Sequence, residues 1–499
     1  MSLISISNLT FAYEGSYDNI FENVSFRIDT DWKLGFTGRN GRGKTTFLNL
    51  LMGKYEYSGT ISASVSFLYF PFVVVDKNLS SEMVVRKISK PFQDWELTRE
   101  LSLLEVKEDV LCRPFETLSN GEQTKILLAA LFLGDNCFLL IDEPTNHLDA
   151  GGRKIVSRYL ADKSGYILVS HDRAFLDGCV DHILSINKAN IEIQKGNFSS
   201  WYANKQLQDG FEIAENEKLK KDIKRLKQAA KQSRSWADKV ESTKMGKGAN
   251  KHRKKGHASI DMMVYNAEKS RRMQQRRKNL ERRQDSAIEE KSKLLKNVET
   301  ADSLKIAKLP FHKSLYLSMS GVGIFYGSNE VCKNISFTVE RGDRIAMLGK
   351  NGSGKSSLLK LVCGETISHS GEVAIGSGLQ ISYVPQDTAF LSGGLSDYAS
   401  AAKIDESLFK AILRKLDFSR LQFEKDMQNF SGGQKKKVLI AKSLCEKSHL
   451  LVWDEPLNFV DVLSRIQIEE LLLLYKPTII FVEHDRAFCE KVATKELAL

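Results

Sequence analysis

Two stretches place the same residue types in the same order, 311 residues apart: Gly38-Arg39-Asn40-Gly41-Arg42-Gly43-Lys44-Thr45 and Gly349-Lys350-Asn351-Gly352-Ser353-Gly354-Lys355-Ser356. Glycines at this spacing let backbone N–H groups wrap a phosphate. The lysine reaches the outer phosphates, and the Thr or Ser hydroxyl takes a place on Mg²⁺. Thr46 and Ser357 follow as further polar contacts. Downstream, two apolar runs end in paired acids, Asp142-Glu143 and Asp454-Glu455. Each Asp is expected to hold Mg²⁺ through its water shell and each Glu to polarise an attacking water. The plainer alternative is a buried strand that ends in solvated acids. His171 and His484 come 29 and 30 residues after those aspartates, and both precede Asp-Arg-Ala-Phe. A γ-phosphate contact is the expectation for both. One such set could be a lone nucleotide switch. Two sets imply a duplicated ATP-driven machine.

The elements that position these groups repeat as well. Lys44 to Asp142 is 98 residues and Lys355 to Asp454 is 99, which supports duplication of a whole α/β unit. Short alternating strands are predicted at 2–9, 24–29, 315–319 and 335–340. Hydrophobic strands at 33–37 and 344–348 lead into the phosphate loops, and helices at 45–52 and 356–362 follow. The expected domains are 1–203, 204–305 and 306–499.

The totals bound the partners. The 499 residues allow two or three domains, and 42% hydrophobic with 27% charged residues suits a soluble globular protein. No apolar stretch reaches the roughly 18–20 residues of a membrane helix. No secretion signal is read at Met1-Ser2-Leu3-Ile4-Ser5, and the seven scattered cysteines form no C-x-x-C pair, so a reduced cytoplasmic protein is expected. The net charge is +11, yet residues 211–300 alone carry 26 Lys+Arg against 13 Asp+Glu. The basic character therefore belongs to one segment. Within it, Leu207, Phe211, Ala214, Leu219, Ile223, Leu226 and Ala230 predict an amphipathic helix over 204–234, and a second is predicted over 260–298. A basic, glycine-bounded tip would join them into a hairpin matched to RNA backbones, with a solvated helix face as the plainer reading.

Leu118-Ser119-Asn120-Gly121-Glu122-Gln123 and Phe430-Ser431-Gly432-Gly433-Gln434-Lys435 lie between phosphate loop and acid pair in each half. Both resemble the signature sequence of ATP-binding-cassette (ABC) domains. The resemblance implies two tandem α/β cassettes paired head to tail. Ser431, Gly432 and Gly433 would then complete the site built on Lys44, and Ser119 and Gly121 the site built on Lys355. By the same resemblance Tyr13 and Tyr326 stack on adenine, and Gln386 joins Thr45, Asp142, Ser356 and Asp454 around Mg²⁺. The first half has Phe72 where Gln386 stands in the second, and Asn120 where Gly432 stands, so the two sites depart from one another. Asp142-Glu143-Pro144-Thr145-Asn146-His147-Leu148-Asp149, with the charged linker, resembles the ABC-F class of ribosome-associated ATPases. The short spacers and the length of the linker are similar to the Lsa-type antibiotic-resistance proteins. That likeness implies a monomer with intramolecular cassette pairing and no obligate membrane partner. It implies E-site binding on the bacterial ribosome, against rRNA and P-site tRNA, and removal of lincosamides, pleuromutilins and group A streptogramins from the peptidyl-transferase centre. Lys251, His252, Arg253, Lys254, Lys255, Arg271, Arg272, Arg276 and Arg277 are the expected RNA contacts. A translation factor for stalled ribosomes and the ATPase subunit of a drug exporter are the rival readings.

Overall fold

The computed structural model describes residues 2–14, 19–134, 137–146, 148–186, 191–244, 275, 309, 311–327, 329–350 and 352–499. Asn351 and the RNA-contact set Lys251, His252, Arg253, Lys254, Lys255, Arg271, Arg272, Arg276 and Arg277 lie outside the described residues, as does His147. The second linker helix also falls outside them, apart from Gln275. The chain divides into two compact units, Met1–Trp201 with Ser303–Leu499, and Tyr202–Asp302.

In the first half, β1 (Leu3–Phe11), β2 (Phe21–Asp29) and β4 (Ser58–Ser62) form an antiparallel sheet ordered β2-β1-β4. A six-stranded sheet runs β5 (Ser66–Phe70), β6 (Cys137–Asp142), β7 (Tyr166–Val169), β3 (Lys33–Thr37), β8 (His182–Ile186) and β9 (Ile191–Lys195). Its strands are parallel except for the β8–β9 pair. Helix α1 (Lys44–Leu51) lies between the two sheets, where Phe47, Leu48 and Leu51 join one core with Ile4, Ile6, Phe36, Leu140 and Ile167. Helices α2 (Ser81–Ile88), α3 (Asp94–Leu103), α4 (Asn120–Leu131), α5 (Ala150–Ala161) and α6 (Arg173–Cys179) complete this half. The central strands are hydrophobic almost throughout because helices cover both faces, so no alternating pattern marks them.

The second half repeats the plan. β10 (Leu315–Tyr326), β11 (Asn329–Glu340) and β13 (His369–Ile375) form the antiparallel sheet. The parallel sheet is ordered β14 (Ile381–Val384), β15 (Leu450–Asp454), β16 (Ile479–Val482), β12 (Arg344–Leu348), β17 (Lys495–Ala498). Helices α8 (Lys355–Val362), α9 (Leu395–Ala401), α10 (Glu406–Lys415), α11 (Gly432–Cys445), α12 (Val462–Tyr475) and α13 (Arg486–Val492) surround it. The phosphate-loop strands match the sequence expectation to the residue. The outer strands extend beyond it, because register shifts within β1 and β10 interrupt the alternation that would have revealed their full length.

Helix α7 (Phe198–Lys244) begins earlier and runs further than predicted. Phe198 and Trp201 start it by burying their rings against one another, 5.4 Å between centroids. Leu207 and Phe211, which the periodicity assigns to an apolar face, are exposed at 64% and 75%.

One buried ion pair stands out in the second half. Lys437 Nζ on α11 lies 2.8 Å from Asp461 Oδ2 at the start of α12, and both side chains are almost wholly buried. Burial alone would raise the Asp461 carboxyl, but the Lys437 ammonium and its hydrogen bond more than reverse this, so Asp461 sits well below the usual carboxylate range. Its contribution is therefore complete above the ordinary carboxylate value and is lost as pH falls beneath it. Lys437→Met should cost about 3–5 kcal/mol by leaving Asp461 buried and unpaired. In urea melts the gap to the wild type should be widest near neutral pH and narrow in acid, as the unpaired Asp461 of the variant takes a proton while the paired Asp461 of the wild type keeps its charge to lower pH.

Candidate nucleotide-binding sites

Parallel pairing brings the chemistry to one edge of each sheet. In the first, Phe36 and Asp142 both pair with Val169, from its two sides, so the loops after β3, β6 and β7 leave the sheet together. The same holds for Met347, Val482 and Asp454 in the second. The phosphate loop then turns into its helix through a left-handed glycine, Gly43 at φ 89° or Gly354 at φ 90°. At Gly43 a Cβ would also stand 2.5 Å from Ile20 Cγ2, so this position admits glycine alone. Lys44 Nζ donates to Gly38 O at 2.7 Å, and Lys355 Nζ to Gly349 O at 2.9 Å and Lys350 O at 2.7 Å. Tyr13 shares a 2.7 Å hydrogen bond with the Thr46 hydroxyl, and Tyr326 donates to the Ser357 hydroxyl at 3.0 Å. Both rings stay accessible, at 42% and 52% exposure, beside their loops.

The groups expected around Mg²⁺ converge. Thr45 Oγ1 donates to Asp142 Oδ2 at 3.1 Å, and the Ser356 hydroxyl bonds Asp454. Asp454 Oδ1 is buried with no hydrogen-bond partner. A hydroxyl, a carboxylate and an unsatisfied buried oxygen suit a hard cation that takes few protein ligands and keeps its waters. Mg²⁺ held there by Thr45 and Asp142, or by Ser356 and Asp454, would neutralise phosphate charge. Among the described residues no cluster of three His, Cys, Asp or Glu offers a metal cage.

Glu143 and Glu455 both occupy left-handed backbone, φ 53° and 46°, costing on the order of 1–3 kcal/mol each. The strain aims each carboxylate off its strand end toward a histidine. His171 Nε2 lies 3.1 Å from Glu143 Oε1, and His484 Nε2 lies 3.7 Å from Glu455 Oε1. Their electrostatics differ. Burial, with the Asp142 carboxylate beside it, pushes Glu143 up to about 8. Burial, then the Lys44 and Arg465 charges, holds His171 well below the ordinary imidazole value. Burial would also raise Glu455, but hydrogen bonds from His484 and Gln386 and the Lys436 charge bring it below the usual range. Gln386 Nε2 donates to Glu455 Oε2 at 2.8 Å. Phe72 has no polar atom to do this for Glu143. Gln386, expected beside Mg²⁺, here holds the neighbouring glutamate. Sequence reasoning missed Tyr69, whose hydroxyl donates to Asp142 Oδ2 at 3.0 Å.

The signature serines cap their helices. Ser119 Oγ accepts from Glu122 N at 3.2 Å and Ser431 Oγ from Gln434 N at 3.3 Å, each in a reciprocal capping box. The loops also reach across to the other half. Asn40 Nδ2 donates to Phe459 O at 2.8 Å, and a Cβ at Gly433 would meet Phe459 O at 2.2 Å and Asn40 Nδ2 at 2.7 Å. Arg39 and Arg42 flank the same seam at 3.0 and 3.7 Å from Asp417 Oδ1. At the other seam the loops stand apart. Ser119 and Gly121 face Gly352, Lys355, Ser356 and Glu455 across a cavity of 1090 Å³. Arg173 on α6 donates to Glu469 Oε2 at 2.7 Å across the halves, while its counterpart Arg486 pairs with Glu490 on its own helix. The structure thus brings each phosphate loop to the other half's signature, with one seam packed and one open.

A family model described as "ABC transporter" matches residues 21–146 and 332–458. The chain is 28% identical over 509 residues to the ribosome protection protein VmlR of Bacillus subtilis (strain 168), covering 100% of this chain and 86% of that protein. It is 25% identical to the ATP-binding protein Uup of Buchnera aphidicola subsp. Acyrthosiphon pisum (strain APS), covering 99% and 80%. In fold it is similar to a crystal structure of archaeal ribosomal stalk protein aP1 with the archaeal ribosome recycling factor aABCE1, with TM-score 0.64, 19% identity and 98% and 87% coverage.

Two sites so differently furnished should turn over differently. Glu455→Gln should lower steady-state ATP hydrolysis about tenfold or more, and Glu143→Gln by less than about twofold. Single-variant rates at saturating ATP decide this. Equal losses would mean that Gln386 and Phe72 do not set the inequality.

Proposed function

The chain belongs to the ABC transporter family, in its ABC-F class of paired ATP-hydrolysing cassettes, and from that premise we propose that it binds bacterial ribosomes in its ATP form and dislodges antibiotics from the peptidyl-transferase centre. The observation that carries this reading is the full-length likeness to a ribosome protection protein, linker included. No described helix is long and apolar enough to cross a membrane. The excess of positive charge in residues 211–300 supports rRNA and P-site tRNA as partners.

Each half has its part in this scheme. Binding of two ATP molecules draws each phosphate loop onto the opposite signature, with Ser431 and Gly433 completing the site of Lys44 and Ser119 and Gly121 that of Lys355. The closed pair engages the E site. Glu143 and Glu455 orient the attacking water, and His171 and His484 sense the γ-phosphate. Hydrolysis then releases the protein. The basic linker reaches toward the lincosamide, pleuromutilin and streptogramin A site, where Lys251, Arg253, Lys254 and Lys255 hold RNA. A translation factor without drug protection is the second reading, because the chain is nearly as similar over its full length to Uup, which is described as an ATP-binding protein and not as a protection protein.

Glu143→Gln with Glu455→Gln should retain ATP and trap the protein on ribosomes, read by cosedimentation with ATP. A double variant that sediments free would overturn ATP-driven engagement. Deleting residues 246–256 should abolish resistance to lincosamides and pleuromutilins in a susceptible host while basal ATP hydrolysis persists. Minimum inhibitory concentrations give the answer, and a host that gains no resistance even from the intact chain would favour the translation factor.

A further inference from the structure

Three consecutive lysines follow the second signature, Lys435-Lys436-Lys437. Such a run normally faces water. Lys436 is instead only 2% exposed. Its Nζ donates to Pro385 O at 3.0 Å, in the loop that carries Gln386, and approaches Asp454 O at 3.3 Å, at the end of β15. Glu483, itself 4% exposed at the end of β16, is the acid that most favours the Lys436 charge, and Arg465 is the cation that most favours the charge of Glu483. Glu483 Oε1 accepts from Leu457 N at 2.7 Å, and Oε2 accepts from His484 N at 3.1 Å. Two buried charges thus tie four segments around Glu455: the Gln386 loop, the end of β15, the turn through Leu457 and the loop of His484.

The first half has none of this. Thr124 stands where Lys436 does and returns its hydroxyl to Asn120 O, 2.8 Å away in its own helix. Ser170 stands where Glu483 does and shares a 3.2 Å hydrogen bond with the Thr145 hydroxyl, at the position of Leu457. The same fold is therefore compatible with neutral hydroxyls at these places. A buried ammonium and carboxylate cost several kcal/mol each to desolvate, so stability alone gives no reason for them. What two buried charges held by backbone hydrogen bonds supply is fixed geometry.

We propose that Lys436 and Glu483 are positioning residues for the ATP site built on Lys355, holding the loops of Gln386, Glu455 and His484 in the arrangement that orients the attacking water. They act through their neighbours and touch no reacting atom. The inference rests on Glu455 being the water-orienting group of that site. It gives a structural origin to the inequality of the two sites beyond the Gln386–Phe72 difference.

The test uses the full chain and copies the first half into the second: Lys436→Thr with Leu457→Thr and Glu483→Ser. In a Glu143→Gln background, which isolates the Lys355 site, kcat should fall about tenfold to a hundredfold, with KM for ATP within about twofold. In a Glu455→Gln background, which isolates the Lys44 site, the same triple change should leave kcat unaltered. Glu483→Gln is the second variant. Its amide oxygen can still accept one backbone N–H, so the fold is kept while the charge opposite Lys436 is lost, and it should show the same selective loss of kcat. Unchanged kcat at the Lys355 site, or equal losses in both backgrounds, would overturn the proposal and leave the pair a packing feature. A Glu455→Gln chain that hydrolyses ATP at the wild-type rate would instead remove the assignment of Glu455, a failure distinguishable from the first.

Discussion

Parallel pairing of the central strands is the constraint on which the rest depends. Leu34 against Ile167 and Leu140 against Ile167 fix the register, so every loop that leaves a strand's carboxyl end emerges at one edge. A one-residue slip would move each side chain from one apolar core to the other and spoil the packing on both faces. The phosphate loop, the acid pair and the histidine loop are far apart in the chain, and this register is what makes them neighbours. It also explains why each half presents its signature outward. The signature caps a helix that packs on the sheet beside the strands, so its free N–H groups must look for an anion elsewhere, in the other half.

From that shared frame the halves diverge in how they treat charge. The seam at Lys44 is packed by side chains of opposite sign, Arg39 and Arg42 against Asp417, and by the Asn40 contact with Phe459. The seam at Lys355 keeps a cavity between the same kinds of loop. Beneath it the polarity reverses: the first half is neutral at Thr124 and Ser170, and the second is ionic at Lys436 and Glu483. One half has rigid charge at its outer rim and the other has it under its floor.

The phosphate loops, acid pairs and histidines were legible in the sequence because the chemistry demands fixed residue types at fixed local spacings. The sheets' central strands were legible because a buried parallel strand leaves an uninterrupted apolar run. Residues that act through tertiary neighbours left no such trace. Tyr69 reads as an ordinary strand tyrosine until Asp142 is seen beside it. Asp417 follows a helix end like many aspartates, and only the fold brings Arg39 to it. Lys436 sits in a run whose composition argues for solvent, and its burial could not be read without knowing what α11 packs against. The reach of α7 was underestimated because Phe198 and Trp201 begin it with ring packing outside the apolar period.

The buried pair Lys436–Glu483 has a consequence for how the halves came to differ. If both descend from one ancestral unit with hydroxyls at these places, the acid that most favours the Lys436 charge was missing until Glu483 arrived. Glu483, which Arg465 also faces, makes Lys436 tolerable, and its reversion with Lys436 in place is costly. Divergence at this spot therefore works as a ratchet: once both charges are in place, the second half can no longer drift back toward the first one residue at a time, and neither half can borrow that helix from the other without importing its partner strand as well.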